Sequence, residues 1–204
     1  MKKIAVIVFA LGLLTVSCKK EEKQEIPAEE VKTEATGLQI VADSTQVSWT
    51  AYKTTEKVPV GGSFTQIELQ RTQEGNTYQE VLEGSVFSIP ATSVFTNNPE
   101  RDGKLINFFF NALKNTELIK GEIHFKGDNT VLALTINGVT KDVPVETTFK
   151  NNKFAVNGVI NLEDFDALGA VESINKACFD LHKGADGVSK TWSDVAISGS
   201  IQFE

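Results

Sequence analysis

Cys178 and His182 have the residue types and the spacing of a nucleophile and its base: they stand four apart and would share one face of a helix. A thiol beside an imidazole can attack a carbonyl or cycle through a disulfide. The same cysteine also falls on the apolar stripe Val171, Ile174, Cys178 and Leu181, where a small buried hydrophobe is the ordinary explanation. The chain's only other histidine, His124, sits on the outward side of an alternating strand, so three histidines cannot gather around a metal. Asp180 and Asp186 could add oxygen ligands, but their spacing is that of any polar loop. No metal and no cofactor are expected, and a reaction at Cys178 and His182 stays open as an alternative.

Cys18 has a different chemistry. Residues 1–17 carry Lys2 and Lys3, an apolar run over residues 4–14, and Ser17 directly before Cys18. That is the layout of a secretory signal peptide, and its apolar run is too short to span a bilayer. TVSC resembles the lipidation site of bacterial lipoproteins, with Thr15 where an aliphatic residue is usual, and Lys20, Glu21 and Glu22 resemble the short signal that sends some of them to the outer surface. Lipidated Cys18 would leave Cys178 as the one thiol, so no intrachain disulfide could form. Residues 18–42 are therefore read as lipidated cysteine and flexible tether, since their Lys and Glu cannot bury enough apolar surface to offset ordering. The net charge of −7 becomes −9 once Lys2 and Lys3 leave with the signal segment, and no arginines interleave with aromatics, which argues against nucleic acid.

Residues 43–204 read as one all-β domain. Val47, Trp49 and Ala51 alternate with polar residues over 46–53, and Ile119, Gly121, Ile123 and Phe125 alternate over 119–126. Further strands are expected over 60–71, 77–89, 130–136, 139–150, 154–160 and 194–203. Asn137-Gly138 between two β-rich runs signals a type I′ hairpin. Eight antiparallel strands with short turns can close into a lipocalin-like barrel, whose interior is filled by side chains or holds one slender ligand. Short helical segments are expected at 98–112, capped by Asn98 with Pro99 following, and at 170–183, ending at Gly184. Phe108, Phe109 and Phe110 point about 100° apart on a helix, so one narrow face cannot hold all three. Phe109 and Phe110 are assigned to the interior and Phe108 to the outside, with Arg101 and Asp102 as a pair fixing the helix entry.

SVFTNNPERDGKLINFFF, LTINGVTKDVPV, and VSWTAYK leading to GGSF resemble the YceI-like domain, a lipocalin-like barrel family of secreted bacterial proteins. The resemblance covers the folded part and implies binding of a polyisoprenoid or a similar long-chain amphiphile. NLEDFD departs from the pattern, with Leu162 where an arginine is common, which puts the handling of a ligand head group in question. Candidate cavity residues are Trp49, Phe64, Phe87, Phe109, Phe110, Ile123, Phe125 and Leu134, with Arg101 as a possible partner for a ligand phosphate. Core packing explains each ring equally well. The resulting reading is a non-enzymatic carrier of an apolar chain, held to the bacterial cell envelope through Cys18 on the periplasmic face or at the outer-membrane surface. A scaffold with a filled barrel that binds another envelope protein is the second reading, and a homodimer is compatible with both.

Overall fold

The computed structural model describes residues 37–114 and 117–204. The expected signal peptide, the expected lipidation site at Cys18 and most of the expected tether lie outside these residues. Residues 38–41, expected as tether, instead join the fold along the chain's end: Gln39 and Glu204 exchange backbone hydrogen bonds, and Ile40 bridges Phe203.

The strands are β1 (Gln46–Lys53), β2 (Val58–Phe64), β3 (Glu68–Gln70), β4 (Val86–Pro90), β5 (Val94–Phe95), β6 (Leu118–Lys126), β7 (Asn129–Ile136), β8 (Val139–Lys150), β9 (Lys153–Asn161) and β10 (Asp194–Gln202). The helices are α1 (Tyr78–Leu82), α2 (Pro99–Phe108) and α3 (Leu168–Ala177), with 3-10 turns at Ala91–Ser93, Phe110–Ala112, Leu162–Phe165 and Phe179–His182. All strands join one antiparallel sheet in the order β3-β4-β6-β7-β8-β9-β10-β1-β2-β5. The sheet thus has ten strands where eight were expected. The difference has a local cause: the expected strand over 60–71 is broken into β2 and β3, and facing that break the chain after β4 turns through Ala91–Ser93 into the short β5, which lies outside the expected strands. β2 pairs β5 through Ser63↔Phe95, and β3 pairs β4 through Leu69↔Phe87, with a slip in register between them. Thr65 N and Oγ1 both donate to Ser93 O across the break, at 2.9 and 3.2 Å, so the two kinks stay joined. The two ends of the curled sheet are therefore halves of the same kinked strand pair.

Residues 78–82, expected as strand, form α1, with Thr77 as its N-cap. Thr77 Oγ1 accepts from Glu80 N at 3.3 Å, while Glu80 Oε2 accepts from Thr77 N at 3.2 Å, a reciprocal capping box that starts a helix. Val81 and Leu82 are its buried face. They close one end of the barrel together with Phe154, Ile201 and Phe203, and with Tyr78 and Phe125 packed against them. Tyr78 stacks on Phe154 with 5.0 Å between ring centroids, and Phe125 meets Phe154 edge-on at 6.1 Å.

The opposite end lies beyond the β7–β8 hairpin, whose Asn137 and Gly138 take φ of 55° and 77°, as a type I′ turn requires. The Asn137 side chain ties three segments together: Oδ1 accepts from Lys114 N, and Nδ2 donates to Phe165 O and Asp166 O. On this side α2 and α3 pack across the barrel. Val171, Ile174 and Cys178 are buried as the stripe predicts, but Leu181 is 57% exposed. The helix ends sooner than expected: Cys178 is its C-cap, and Gly184 instead belongs to a turn in which its N–H donates to Val188 O. Pro144 falls just before the β8–β9 ladder begins at Glu146, where a missing donor breaks no pairing to β9.

Candidate functional site

Inside the sheet, between the α1 plug and the two larger helices, lies a cavity of about 490 Å³. Its wall follows from strand alternation. Trp49 and Ala51 on β1 point in, as do Ile123 on β6, Leu132 and Leu134 on β7, Val156 and Ile160 on β9, and Ile197 on β10. Cross-strand partners share a side, and Trp49↔Ile197 and Gly199↔Val156 are such pairs.

Two glycines make room for large rings. A Cβ on Gly62 would lie 2.5 Å from Trp49 Cζ2, so the indole rests on bare backbone. A Cβ on Gly121 would collide with the Phe87 ring opposite it. These small residues are therefore occupied by neighbouring rings and add no free volume at those points. Ala133 is half-buried between the buried Leu132 and Leu134, and so faces outward.

Of the sequence candidates, Trp49, Phe64, Phe87, Arg101, Phe109, Phe110, Ile123 and Leu134 all line the cavity. Phe125 does not: it lies beneath the floor among Tyr78 and Phe154. The floor itself is Phe154, which was not a candidate although the inward parity of its strand points to it. Leu132, Val156, Ile160 and Ile197 were missed in the same way, because apolar aliphatic positions carry no signal that separates a wall from a packed core. Phe108 is 42% exposed, Phe109 ends α2, and Phe110 is buried edge-on to Phe64 at 6.4 Å.

The expected Arg101–Asp102 pair does not form. Asp102 Oδ1 accepts from Thr96 N at 2.9 Å and from Thr96 Oγ1 at 2.6 Å, which ties α2 back to the strand before it. Among the described residues the Arg101 side chain has no ion pair. Consequently Asp102→Ala should lower the unfolding free energy by about 1–3 kcal/mol, because it strands a half-buried N–H. Arg101→Ala should change it by less than about 0.5 kcal/mol. Urea unfolding of the two variants checks this, and the reverse ranking would restore the pair.

The mouth is polar. Tyr52 and Lys53 from the end of β1, Asn98, Glu100, Arg101 and Lys104 from the start of α2, and His182, Thr191 and Trp192 from the segment after α3 line the cavity there. Trp192 Nε1 donates to Thr54 O at 2.7 Å, and Lys190 Nζ lies 3.6 Å from the centre of its ring. Cys178 and His182 both reach this cavity but do not form a catalytic pair. Thr191 Oγ1 donates to Asn175 Oδ1, so the 2.7 Å contact between His182 Nδ1 and Thr191 Oγ1 makes Nδ1 the donor. Burial, and then the nearby Lys53, push the His182 pKa down, while burial pushes the Cys178 thiol up. Both groups are thus neutral at neutral pH, with no hydrogen bond between their side chains among those of the described residues. The described residues contain no cluster of metal-ligating side chains, and no helix among them is long and apolar enough to cross a membrane.

The family model of the YceI-like domain matches residues 38–203. Among solved structures, a polyisoprenoid binding domain from Saccharophagus degradans implicated in plant cell wall breakdown superposes with a TM-score of 0.60 at 12% identity, covering 82% of this chain and 98% of that one. BcnA from Burkholderia cenocepacia superposes with a TM-score of 0.53 at 18% identity, covering 80% of this chain and 98% of its own. At these identities both likenesses concern the fold. A search of curated proteins finds no match.

Proposed function

Because the chain belongs to the YceI-like domain family, we propose that it binds a long-chain apolar ligand, a polyisoprenoid or similar amphiphilic lipid, inside its barrel and carries it without chemical change. The observation that carries this reading is the cavity: about 490 Å³ walled by aliphatic and aromatic side chains, floored by Phe154, and polar at its mouth. That volume is within the range of about 300–1,000 Å³ usual for small-molecule sites. A side-chain-filled barrel, as the scaffold reading requires, would have no such space. The description of the Saccharophagus degradans neighbour as polyisoprenoid binding supports a prenyl tail as the occupant. Burial of the tail would contribute about 25 cal/mol per Å² of apolar surface.

Organic extraction of the purified protein followed by mass spectrometry is expected to release a prenyl lipid in near-stoichiometric amount. An empty barrel that also fails to take up added prenyl lipids would end this reading.

In the same reading the protein is an envelope lipoprotein, cleaved after Ser17 and anchored through Cys18. More than one acyl chain gives stable attachment without a transmembrane helix. Labelled fatty acid should enter the full-length chain and be absent from Cys18→Ala, and equal labelling of both would refute the anchor.

A further inference from the structure

The polar mouth brings three cations to one opening. Lys53 enters from the end of β1, and Arg101 and Lys104 stand three apart on α2, so they share a helix face, and all three line the cavity. Cys178 lies within the field of both lysines and His182 within that of Lys53, so the two elements converge on the same point. The compensation visible for these charges is slight. Lys53 Nζ donates to the carbonyl of Leu181 at 3.0 Å, which neutralises nothing. Lys104 Nζ meets Glu100 Oε1 at 2.7 Å, but that carboxylate is 78% exposed, and Arg101 has no ion pair among the described residues.

We propose that Lys53, Arg101 and Lys104 receive a phosphate ester at the head of a prenyl lipid whose tail fills the barrel. The proposal rests on the lipid-binding reading above and adds the class of the head group. Cations gathered at one opening attract an anion of fitting shape, and the apolar wall beside them takes the chain attached to it. A phosphate monoester supplies up to two negative charges and three acceptor oxygens, enough for two ammonium groups and a bidentate guanidinium. Glu100 then acts as a placeholder for Lys104, exposed enough to swing away when the phosphate arrives. Leu162, at the position where the family resemblance leads one to expect an arginine, lies within the apolar wall, and the cationic work falls to residues of β1 and α2.

The test is calorimetric titration of the full chain with three probes: geranylgeranyl monophosphate, geranylgeraniol and inorganic phosphate. The monophosphate should bind about 10- to 100-fold more tightly than the alcohol. That preference should shrink as salt rises. Lys53→Met, Arg101→Met and Lys104→Met should each weaken the monophosphate by more than the alcohol and so reduce the preference, with an unchanged urea unfolding midpoint reporting an intact fold. Equal Kd values for monophosphate and alcohol would overturn the head-group assignment and leave the lipid reading standing. Binding of neither prenyl probe would overturn both. Inorganic phosphate binding as tightly as the prenyl ester would make the site one for a free anion, and equal weakening of both prenyl probes in all three variants would reduce the cations to a structural role.

Discussion

Phe154→Ala is expected to lower the unfolding free energy by about 3–5 kcal/mol, the range for removing a large aromatic from a packed core. The side chain is 1% exposed and stacks on Tyr78 while Phe125 meets it edge-on. The helix α1 above it is five residues long, too short to hold itself against the barrel without that contact. For a domain of this size the loss corresponds to a fall in Tm of about 6–20 °C. Thermal and urea unfolding measure it, and a change below about 1 kcal/mol would mean that α1 and its rings do not close the barrel. Phe125→Leu provides the companion result. It lies under the floor and not in the wall, so it should lower stability while leaving the affinity for a prenyl lipid unchanged.

Ala51→Trp should have the opposite profile, with binding lost and the fold kept. Ala51 lines the cavity between Trp49 and the mouth. A ring placed there enters empty space, so the overpacking penalty of about 1–3 kcal/mol that a filled core would impose does not apply in full. If the ring displaces about 110 Å² of ligand contact, the loss is about 2.7 kcal/mol, or about 100-fold in Kd. The unfolding midpoint in urea should move little, or upward. Retained affinity in a folded Ala51→Trp protein would show that the ligand binds elsewhere, which is the outcome a scaffold with a surface site requires.

Much of the barrel was legible because its signals are local. The alternation over 119–126 matches β6 (Leu118–Lys126), and the Asn98 cap donates its predicted support, accepting from Arg101 N at 3.1 Å. Helix α1 also carries a local signal, since Thr77 and Glu80 are spaced as a capping box, but the short apolar run at Val81 and Leu82 is compatible with the strand expected over 77–89 as well as with a helix. The site was partly legible. Rings assigned to the interior by parity reach the cavity, except where parity alone cannot say how deep a residue sits, and Phe125 is the example.

By itself the sequence determined the long strands β1 and β6 to β10, the hairpin turn, the cap of α2 and the sidedness of Trp49, Ile123 and Leu134, because each depends on contacts within a few residues or on the strict two-residue period of a strand. Only the tertiary structure decided which end of the barrel is plugged, that Leu181 stands exposed at the mouth, and that Lys53 and Lys104 line the same cavity. Those outcomes join residues far apart in the chain, such as Lys53 and Leu181, and no local period or propensity carries information about them. They are set by how a curled sheet and two helices share limited space, and the cations at the mouth are a product of that arrangement.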